Sequence, residues 1–490
     1  KIIMQVAEKT EWQQSLSKSA LNSLLLNNRR VIDGSSEVEV NPAYDNIDDD
    51  SIFGMLEEIL SKYTLTEKLS QIEDSNRSKF GPRSIAKPWE ERRESLEAYY
   101  KHEDFDPGEF EITKSTFNLN KASVDSVGNK LIRSSQASLP YMKRKGLVLN
   151  SALKSWKDQV CQYPCVIYTR TQEQGKTRNV WGYPVSDTIW EQQYYLPILA
   201  VERMWSHRSA LIGPDAVDLA ISKMLQQKKD DEVMLCIDFS SFDASIKPEN
   251  SYKAFQKFAS LFPSKLWTDI YNLYRRFVTI PIYTPDGEKF GPHGVPSGSS
   301  FTNCVDSEVQ LQASKGVQSD EEIQGDDGVY TVKASELDLL KANFRDAGLE
   351  VNETKSETFE GREATYLQRY FSEEYPNRYG LGLGGVYSAH RAFNRIKYLE
   401  RWTNIKKMNM EGSDFFSLRT IMILENCKHH PAFEELVRLA HKLDRKGLHY
   451  TNEGLALYSE AMKAKIRAGV FNQFGRPDMG IDNFETVKVL

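Results

Sequence analysis

Two groups of aspartates in the sequence have spacings that suit metal-dependent chemistry. Asp326 and Asp327 follow Gly325 and lie between two short segments typical of β-strands. Adjacent like charges on a tight turn repel each other and lose solvation where the turn is packed, so an ordinary hairpin gains nothing from them. Asp238 ends a predicted buried strand, and Asp243 follows at the predicted start of a helix. The repulsion has a free-energy cost, so both groups of aspartates indicate a function that requires these carboxylates.

A divalent cation is the partner that these carboxylates favour. If the strand ending at Asp238 pairs with the hairpin 321–333 in one antiparallel sheet, Asp238 and Asp326 face each other across neighbouring strands. Oxygen-only ligands suit a hard cation such as Mg²⁺, which completes its shell with water and substrate phosphates. Two such ions about 4 Å apart would stabilise the attacking and the leaving oxygen of a phosphoryl transfer.

Length and composition exclude several other classes of protein. A chain of 490 residues with 40% hydrophobic content buries a large core, divided among several subdomains. The apolar runs are far shorter than the roughly 18 residues of a membrane span, and the first residues lack the apolar segment of a signal peptide. The five cysteines are scattered without a CxxC pair, so we expect a reducing compartment and neither disulfides nor a zinc site.

The net charge of −6 argues against a protein that simply coats nucleic acid, yet two segments are basic. Residues 143–178 have a net charge of +6, from Lys143, Arg144, Lys145, Lys154, Lys157, Arg170, Lys176 and Arg178 against Asp158 and Glu173. In residues 390–402, three arginines alternate with three aromatic residues, namely Arg391, Arg395 and Arg401 with Phe393, Tyr398 and Trp402. Either segment fits a cationic surface for phosphates, and either also fits an ordinary charged surface.

The remaining pattern predicts mixed helix and strand. Residues 1 to about 110 combine helical periodicity with polar loops, and the acidic stretch 44–50 is predicted to be an exposed linker or turn. Residues 275–294 indicate a hairpin that turns at Pro285, Asp286 and Gly287. After residue 375 the chain is predicted to be mostly helical, with one apolar stripe formed by Leu436, Leu439, Ala440 and Leu443.

A loop rich in glycine and serine lies between the two groups of aspartates. This stretch, GPHGVPSGSSFTNCVDSE at 291–308, runs into a predicted helix that begins near Ser300. Small residues allow close backbone approach to a ligand and let a loop change shape without steric penalty. By itself, the loop fits a plain strand-to-helix connection equally well.

The order and spacing of these segments resemble the RNA-dependent RNA polymerases of RNA viruses. DFSSFD is similar to the family's motif A, GVPSGSSFTN to motif B, and GDD at 325–327 to motif C. RTQEQGKTR resembles motif F, QASLPYMKRKG the template-entry motif G, NETKSE motif D and TYLQRYF the primer-grip motif E. Seven motifs occur in the family's order across residues 136–371, and the relatives that they indicate are the picobirnaviruses and then the partitiviruses.

The resemblance implies a role for each matching residue. Asp238 and Asp326 would hold two Mg²⁺ ions with Asp327 beside them, and Mn²⁺ is an alternative ion. Lys355 would be the general acid that protonates the leaving pyrophosphate, although a lone lysine after a turn is most often solvated. The nucleotide would contact Arg170, Lys176, Arg178, Asp243, Ser297 and Gly298. Many relatives have an asparagine where this sequence has Asp306, so Asp306, Asn303 and Thr302 are all candidates for the sugar contact.

The resemblance also implies partners and a location. RNA would contact Lys143, Arg144, Tyr366, Arg369, Arg391 and Arg395, although Tyr366 also fits a sheet core. The expected partners are template and nascent RNA and ribonucleoside triphosphates, with a capsid protein as a further candidate and no membrane. The expected location is the host cytoplasm, within the virion. The C-terminal segment 472–490 is predicted to reach toward the cavity as a priming or plugging element.

The fold that the resemblance implies is an α+β closed right hand, with fingers, a palm built on an antiparallel sheet, and a helical thumb. The predicted divisions are 1–185 for an N-terminal extension and fingers, 186–250 for palm, 251–290 for a fingers insertion, 291–375 for palm, and 376–490 for thumb and tail.

Two other functions compete with this one. A reverse transcriptase shares such a palm, but Gly325 before Asp326, and Asp243 as a reader of the ribose 2′-OH, disfavour it. An RNA-binding viral structural protein without catalysis would use the acidic turns for structure alone. The sequence favours template-directed RNA synthesis by two-metal nucleotidyl transfer, which replicates and transcribes a double-stranded RNA genome.

Overall fold

The computed structural model describes residues 11–405, 410–467 and 481–490. The strands in these residues are β1 (Cys165–Thr171), β2 (Thr177–Gly182), β3 (Glu232–Ile237), β4 (Phe239–Ser240), β5 (Ile282–Thr284), β6 (Gly287–Lys289), β7 (Asp320–Gln324), β8 (Asp327–Lys333), β9 (Glu350–Val351), β10 (Glu357–Phe359), β11 (Glu363–Tyr366), β12 (Arg369–Ser372) and β13 (Val386–Tyr387).

The α-helices of the same residues alternate with these strands along the chain. They are α1 (Lys18–Asp33), α2 (Asp49–Leu60), α3 (Glu67–Ser78), α4 (Trp89–Glu97), α5 (Val124–Lys130), α6 (Lys145–Gln159), α7 (Val185–Glu202), α8 (Pro214–Gln227), α9 (Phe242–Ser245), α10 (Pro248–Ala259), α11 (Trp267–Thr279), α12 (Thr302–Ser314), α13 (Leu337–Asp346), α14 (Ala389–Lys397), α15 (Gly412–Glu425), α16 (Phe433–Leu443), α17 (Asn452–Arg467) and α18 (Glu485–Val489). None of the helices described is both long and apolar enough to cross a bilayer.

The central sheet has the strand order β10-β3-β8-β7, and all its neighbouring strands are antiparallel. All six residues of β3 are buried, which explains the apolar character of VMLCI, and the strand ends at Ile237, one residue before the predicted end at Asp238. The predicted hairpin 321–333 is also confirmed, since β7 and β8 pair directly. This sheet corresponds to the antiparallel palm sheet that the resemblance predicts.

A second sheet, with the order β2-β1-β5-β6, joins residues 165–182 to residues 282–289. β1 and β5 are parallel, whereas the other two pairs are antiparallel. The predicted hairpin 275–294 is therefore correct only in its second half. Residues 275–279 form the end of α11, where Tyr274, Phe277 and Val278 are buried at helical spacing.

The C-terminal part of the described chain is mostly helical, as predicted, and forms the thumb. Leu436, Leu439 and Ala440 on α16 are buried, and Leu443 is half-buried against the same cluster, so the predicted apolar stripe is confirmed. The thumb touches the fingers directly, because Thr171 Oγ1 at the end of β1 donates to the carbonyl of Glu400 at 3.0 Å. Arg83 also pairs with Glu400 at 2.9 Å. These contacts close the hand.

The N-terminal residues pack on both of these parts. The stretch 44–50 is not merely an exposed linker, because Tyr44 is fully buried and Asp48 caps the first turn of α2 by accepting from the Ser51 amide at 2.7 Å. An acidic residue at this place is favourable because the positive end of the helix dipole lies there. The acidic composition of the stretch therefore reflects a helix start.

Glu73 on α3 fastens this N-terminal part to the thumb. Its buried carboxylate accepts from the amide of Ala389 at 2.7 Å and from Ser388 Oγ at 3.0 Å, at the N-terminus of α14. His390 Nδ1 and His430 Nε2 lie at 2.6 and 3.3 Å from the same carboxylate. Burial alone would raise the pKa of Glu73, but the hydrogen bonds and charges of the two histidines lower it below its usual range.

We predict that Glu73→Gln lowers the free energy of unfolding by about 3 kcal/mol near pH 7, because it removes one partner of a buried charged network. The folded pKa lies below the unfolded value of about 4.3, so this stabilisation is present above that pH and is lost as the pH falls through the folded pKa. Urea unfolding at several pH values measures this. Asp74→Asn, an exposed carboxylate on the same helix, is the control. A pH-independent difference would contradict the prediction.

Candidate functional site

The turn between β7 and β8 places two carboxylates at the edge of the central sheet. Gln324 pairs with Asp327, so the turn has two residues, Gly325 and Asp326. Gly325 has φ +63°, a conformation that a two-residue turn with a positive φ at its first position requires and that glycine adopts without strain. The glycine before the aspartates is thus explained by the backbone.

Asp238 lies at the same end of the sheet as this turn. Ile237 pairs with Gly328 on β8, so Asp238 extends beyond the pairing beside Asp327, on strands about 5 Å apart. The backbone of Asp238 is held from the other side, where its amide donates to Ser356 Oγ at 2.9 Å and its carbonyl accepts from the Asn352 amide at 2.8 Å. The predicted convergence of the two aspartate groups is confirmed.

The three carboxylates destabilise one another's charged forms. Burial and the charges of Asp326 and Asp238 raise the pKa of Asp327 to about 7. Burial raises the pKa of Asp238, and so does the charge of Asp326, against the lowering effect of Lys355 and Lys176. Asp326 and Asp327 remain open to solvent within a concave site. A divalent cation would relieve both the desolvation and the repulsion, so this hard oxygen donor set fits Mg²⁺ or Mn²⁺.

Helix α12 supports the turn from behind, through residues that sequence reasoning missed. Ser307 Oγ accepts from the amide of Gly325 at 2.9 Å, and Gln310 Nε2 donates to the Gly325 carbonyl at 2.8 Å. Tyr330 OH donates to Gln310 Oε1 at 2.7 Å. Ser307 and Gln310 are three residues apart and so share one helix face. The only sequence signal for them was this spacing after the glycine and serine loop.

The three candidates for the sugar contact have different surroundings. Asn303 Oδ1 accepts from Arg208 Nη2 at 2.6 Å, and Thr302 Oγ1 donates to the Pro296 carbonyl at 2.8 Å. Asp306 instead lies beside Asp243. Burial, the charge of Asp243 and a hydrogen bond between the two carboxyl groups raise the pKa of Asp306 well above its usual range. The structure thus brings Asp306 and Asp243 together.

Arg208 is a further residue that the sequence did not indicate, and its side chain contacts Asn303. Its guanidinium is buried and pairs with buried Glu202 at 3.2 Å. It also donates to Gln324 Oε1 at 3.3 Å, next to the turn, besides its bond to Asn303. Arg208 therefore ties the start of α12 to the end of β7.

The glycine and serine loop packs against β2 rather than standing free. Ser297 Oγ accepts from the Trp181 amide at 3.1 Å, and a Cβ on Gly298 would overlap the Trp181 carbonyl oxygen. Buried Glu191 accepts from Ser299 Oγ and, at 3.1 Å, from the Ser300 amide. Close backbone approach does explain Gly298, but the backbone that it approaches is β2 of the same chain and not a ligand.

Three cations on the fingers hairpin and the palm act electrostatically on the carboxylates, and Arg170 lies opposite one of them. Arg170 and Arg178 are directly opposite each other on β1 and β2, and both are exposed. Like charges in that position repel, so the pair favours an anion between them. Arg178 lowers the pKa of Asp326, and Lys176 and Lys355 lower that of Asp238, so these groups lie within electrostatic reach of one another.

The residues predicted to contact RNA differ in how exposed they are, and four of them have exposed or half-buried side chains. Lys143 and Arg144 are exposed at the start of α6. Arg391 and Arg395 are half-buried and donate to Tyr387 OH at 3.1 and 2.9 Å.

Two of these residues lie inside the protein. Arg369 is only 4% exposed and donates to Asn426 Oδ1 at 2.5 Å, and Tyr366 is 3% exposed in a hydrophobic cluster. The sheet-core alternative describes the position of Tyr366, and Arg369 links β12 to the end of α15. Both side chains thus join the palm to neighbouring elements, and neither presents a surface to RNA.

The predicted priming role of the tail falls partly outside the described residues, which omit 468–480. The last ten residues pack on the thumb, where Glu425 accepts from the amides of Glu485 and Thr486 at 3.0 Å. Ile481 and Phe484 are buried against α15. This end of the chain is therefore anchored.

A second group of possible metal ligands consists of Asp215, Asp218 and His429, whose ligand atoms lie within 4.8 Å of one another. His429 Nδ1 accepts from the Arg378 amide at 3.1 Å, so the ring hydrogen is on Nε2, toward Asp218 at 3.1 Å. A metal-bound histidine donates from its other nitrogen, which is impossible here. Asp215 already pairs with Lys428 at 2.7 Å. This group links α8 to the thumb without a metal.

Comparisons with known proteins agree with this geometry. The family model for viral RNA-dependent RNA polymerase matches residues 167–383. A potential RNA-dependent RNA polymerase of human picobirnavirus is 26% identical over 466 residues, which cover 85% of this chain and 84% of that protein. An RNA-directed RNA polymerase of Cryptosporidium parvum virus 1 is 28% identical over 218 residues, covering 40% and 41%. The crystal structure of a human picobirnavirus RNA-dependent RNA polymerase matches with a TM-score of 0.78 and 24% identity, over 97% of this chain and 99% of that one.

We predict that Gly298→Ala displaces the loop from β2, because the added methyl group overlaps the Trp181 carbonyl oxygen. We expect a loss of about 1–3 kcal/mol in the free energy of unfolding, measured by urea titration. Gly54→Ala is the control, since a Cβ there meets nothing within 4 Å. Equal stability of the two variants would show that the loop accommodates the methyl group.

Proposed function

We infer that this chain, which belongs to the viral RNA-dependent RNA polymerases, extends an RNA strand by two-metal nucleotidyl transfer and so replicates and transcribes a double-stranded RNA genome. The observation that carries this mechanism is the convergence of Asp238, Asp326 and Asp327 at one sheet edge, opposite the exposed pair Arg170 and Arg178. A structural RNA-binding protein has no use for three carboxylates that repel one another at the same place.

Each group has a separate part in this reaction. Asp238 and Asp326 would hold two Mg²⁺ ions, with Asp327 beside them, and the bound ions would stabilise the attacking and leaving oxygens. Arg170, Arg178 and Lys176 bind the triphosphate and offset the charge that develops on pyrophosphate. Lys355, exposed on the loop before β10, supplies the proton for that leaving group. The nucleophile is the 3′-hydroxyl of the RNA, so the protein contributes position and electrostatics.

Recognition of ribose rests on the buried pair of Asp243 and Asp306. The pKa of Asp306 is raised well above its usual range, so we infer that Asp306 carries the proton of the pair and that Asp243 is the acceptor for the hydrogen of a ribose 2′-OH. The protonated carboxyl of Asp306 offers the same donor as the asparagine that many related polymerases have at this place. Asp306 therefore differs in residue type from the asparagine of the family but would supply the same hydrogen-bond donor.

We predict that Asp326→Asn reduces template-length RNA product by about 1,000-fold or more, because one charged metal ligand is lost while the turn is kept. Extension of a labelled primer with RNA template, ribonucleotides and Mg²⁺ measures the product, and a binding assay should show unchanged RNA affinity. Asp320→Asn, at the opposite end of the same hairpin, is the matched control. Full activity of Asp326→Asn would refute the assignment of the site.

We predict that Asp306→Asn keeps ribonucleotide incorporation within a few-fold of the unaltered protein, because its amide donates the same hydrogen bond to Asp243. Asp306→Leu removes that donor, and a hydrogen bond to a charged group contributes about 1.5–3 kcal/mol. We therefore expect KM for ribonucleotides to rise about 10- to 100-fold in the leucine variant, with less discrimination against deoxyribonucleotides. Single-nucleotide incorporation kinetics measure both. Equal damage from both substitutions would exclude Asp306 as the donor.

A further inference from the structure

Positive charge is concentrated in one segment of the chain. Residues 112–160 contain nine lysines and arginines and two aspartates, a net charge of +7, whereas the whole chain has −6. Such segregation within an acidic protein indicates a local surface for a polyanion. Residues 143–145 overlap the predicted template-entry motif, but most of the charge lies outside it.

Several of these cations are exposed along α6 and beside its two ends. We define the outer basic surface as the exposed residues Lys121, Arg133, Lys143, Arg144, Lys154 and Lys157. Arg133 lies against the first turn of α6, because its carbonyl accepts from the Gly146 amide at 2.9 Å. Lys154 and Lys157 are one turn apart near the other end of α6, a helix of 15 residues that spans about 22 Å.

The loop that precedes α6 is linked to the elements around the proposed catalytic site by hydrogen bonds. The loop that leads into α6 is bonded to β1, where Ser138 Oγ donates to Tyr168 OH at 3.2 Å. β2, paired to β1, is bonded in turn to the glycine and serine loop through Trp181 and Ser297. The loop that precedes α6 is thus linked, through β1 and β2, to the glycine and serine loop.

A cavity of about 620 Å³ opens at the far end of α6. Trp156, Trp190, Lys121 and Lys157 contribute to its lining. The two arginines in its wall are already engaged, since Arg275 pairs with Asp104 at 2.9 Å and Arg276 with Asp187 at 2.8 Å. Among the residues that the structure describes, neither Lys121 nor Lys157 forms an ion pair.

The size and lining of this cavity suit one nucleotide of a strand. Its volume lies within the roughly 300–1,000 Å³ of small-ligand sites. Aromatic side chains beside cations are the arrangement by which proteins bind single-stranded nucleic acid, with bases on the rings and phosphates on the cations. An acidic protein segment would satisfy the lysines but has no need for Trp156, the less buried of the two tryptophans, since Trp190 is 8% exposed and donates to Asp269 at 3.3 Å.

We propose that the outer basic surface binds the unpaired 5′ part of the template before it enters the polymerase, with one base in the cavity against Trp156 and phosphates on Lys121 and Lys157. The proposal rests on the proposed function, because the RNA it places is the template of that reaction. It adds a site outside the catalytic cavity, which would hold the template during successive rounds of copying.

The first test compares two RNAs, a short template and the same template extended at its 5′ end by about ten nucleotides. For Lys121→Gln/Lys157→Gln, we expect the affinity for the long RNA to fall to that for the short one. The slope of log affinity against log salt should fall by about 1.4, since each phosphate contact on a single strand contributes about 0.7. Lys265→Gln/Lys333→Gln removes two other exposed charges and should change neither value.

Trp156 tests the base contact separately from charge. Trp156→Leu should weaken binding of the long RNA about tenfold through lost stacking, whereas Trp156→Phe retains an aromatic ring and most of the affinity. Circular dichroism and urea unfolding report whether each variant folds. Equal binding by the leucine and phenylalanine variants, both folded, would overturn the assignment of a base to the cavity.

Cys161 provides a direct probe of the same place, because it lines the cavity and is the only exposed cysteine of the five. Burial and nearby carboxylates raise the pKa of its thiol to about 11, so labelling with a maleimide photocrosslinker is done at mildly alkaline pH. We expect crosslinks to the 5′ extension of the long RNA and none to the short RNA. The same experiment is done with an acidic protein added as a competitor. Crosslinks to that protein alone would favour a protein partner and refute the RNA assignment.

Failure of this proposal is distinguishable from failure of the proposed function. All the lysine and tryptophan variants lie outside the catalytic group, so each should copy the short template at the unaltered rate. If the short template is copied normally but extension of its 5′ end changes neither affinity nor crosslinking, the outer site is refuted and the polymerase assignment stands.

Discussion

The mutual repulsion of three carboxylates at one end of a sheet is the constraint on which the rest of the structure depends. Asp238, Asp326 and Asp327 converge because β3 and the β7–β8 hairpin end at the same edge, where burial and repulsion raise their pKa values. Positive groups compensate from the fingers and from the palm, and a divalent cation fits the charge that remains. A strained acidic group of this kind persists only where the surrounding structure holds it firmly.

Helix α12 provides much of that support. One face bonds both polar groups of the Gly325 backbone through Ser307 and Gln310, and Asp306 on the same helix is hydrogen-bonded to Asp243. The helix thus connects the turn that carries the proposed metal ligands to the residue proposed to read the sugar. Precise catalytic geometry needs supporting bonds of this sort, because an error of about 1 Å costs much of the rate.

The contact between the fingers and the thumb fixes the position of the cations on the fingers. The β1–β2 hairpin projects from its sheet, and its contact with the carbonyl of Glu400 holds the tip against the thumb. The thumb is in turn held by Glu73 of the N-terminal part, whose carboxylate accepts at the start of α14. The N-terminal residues, from which the sequence yielded no chemistry, therefore help to place the charges opposite the catalytic carboxylates.

The sequence by itself determined the local elements, including the strand that ends just before Asp238 and the turn at Gly325, because strand periodicity and turn geometry depend on near neighbours. It also supplied the metal ligands and the family, through motif order. It assigned residues 275–279 to a strand although they are helical, because a short apolar run with β-branched residues fits a strand as well as a buried helix. Only the tertiary structure decided which partner each polar side chain finds, such as Asp306 beside Asp243 and Arg369 inside the protein. Those partners are distant along the chain, and packing alone brings them together.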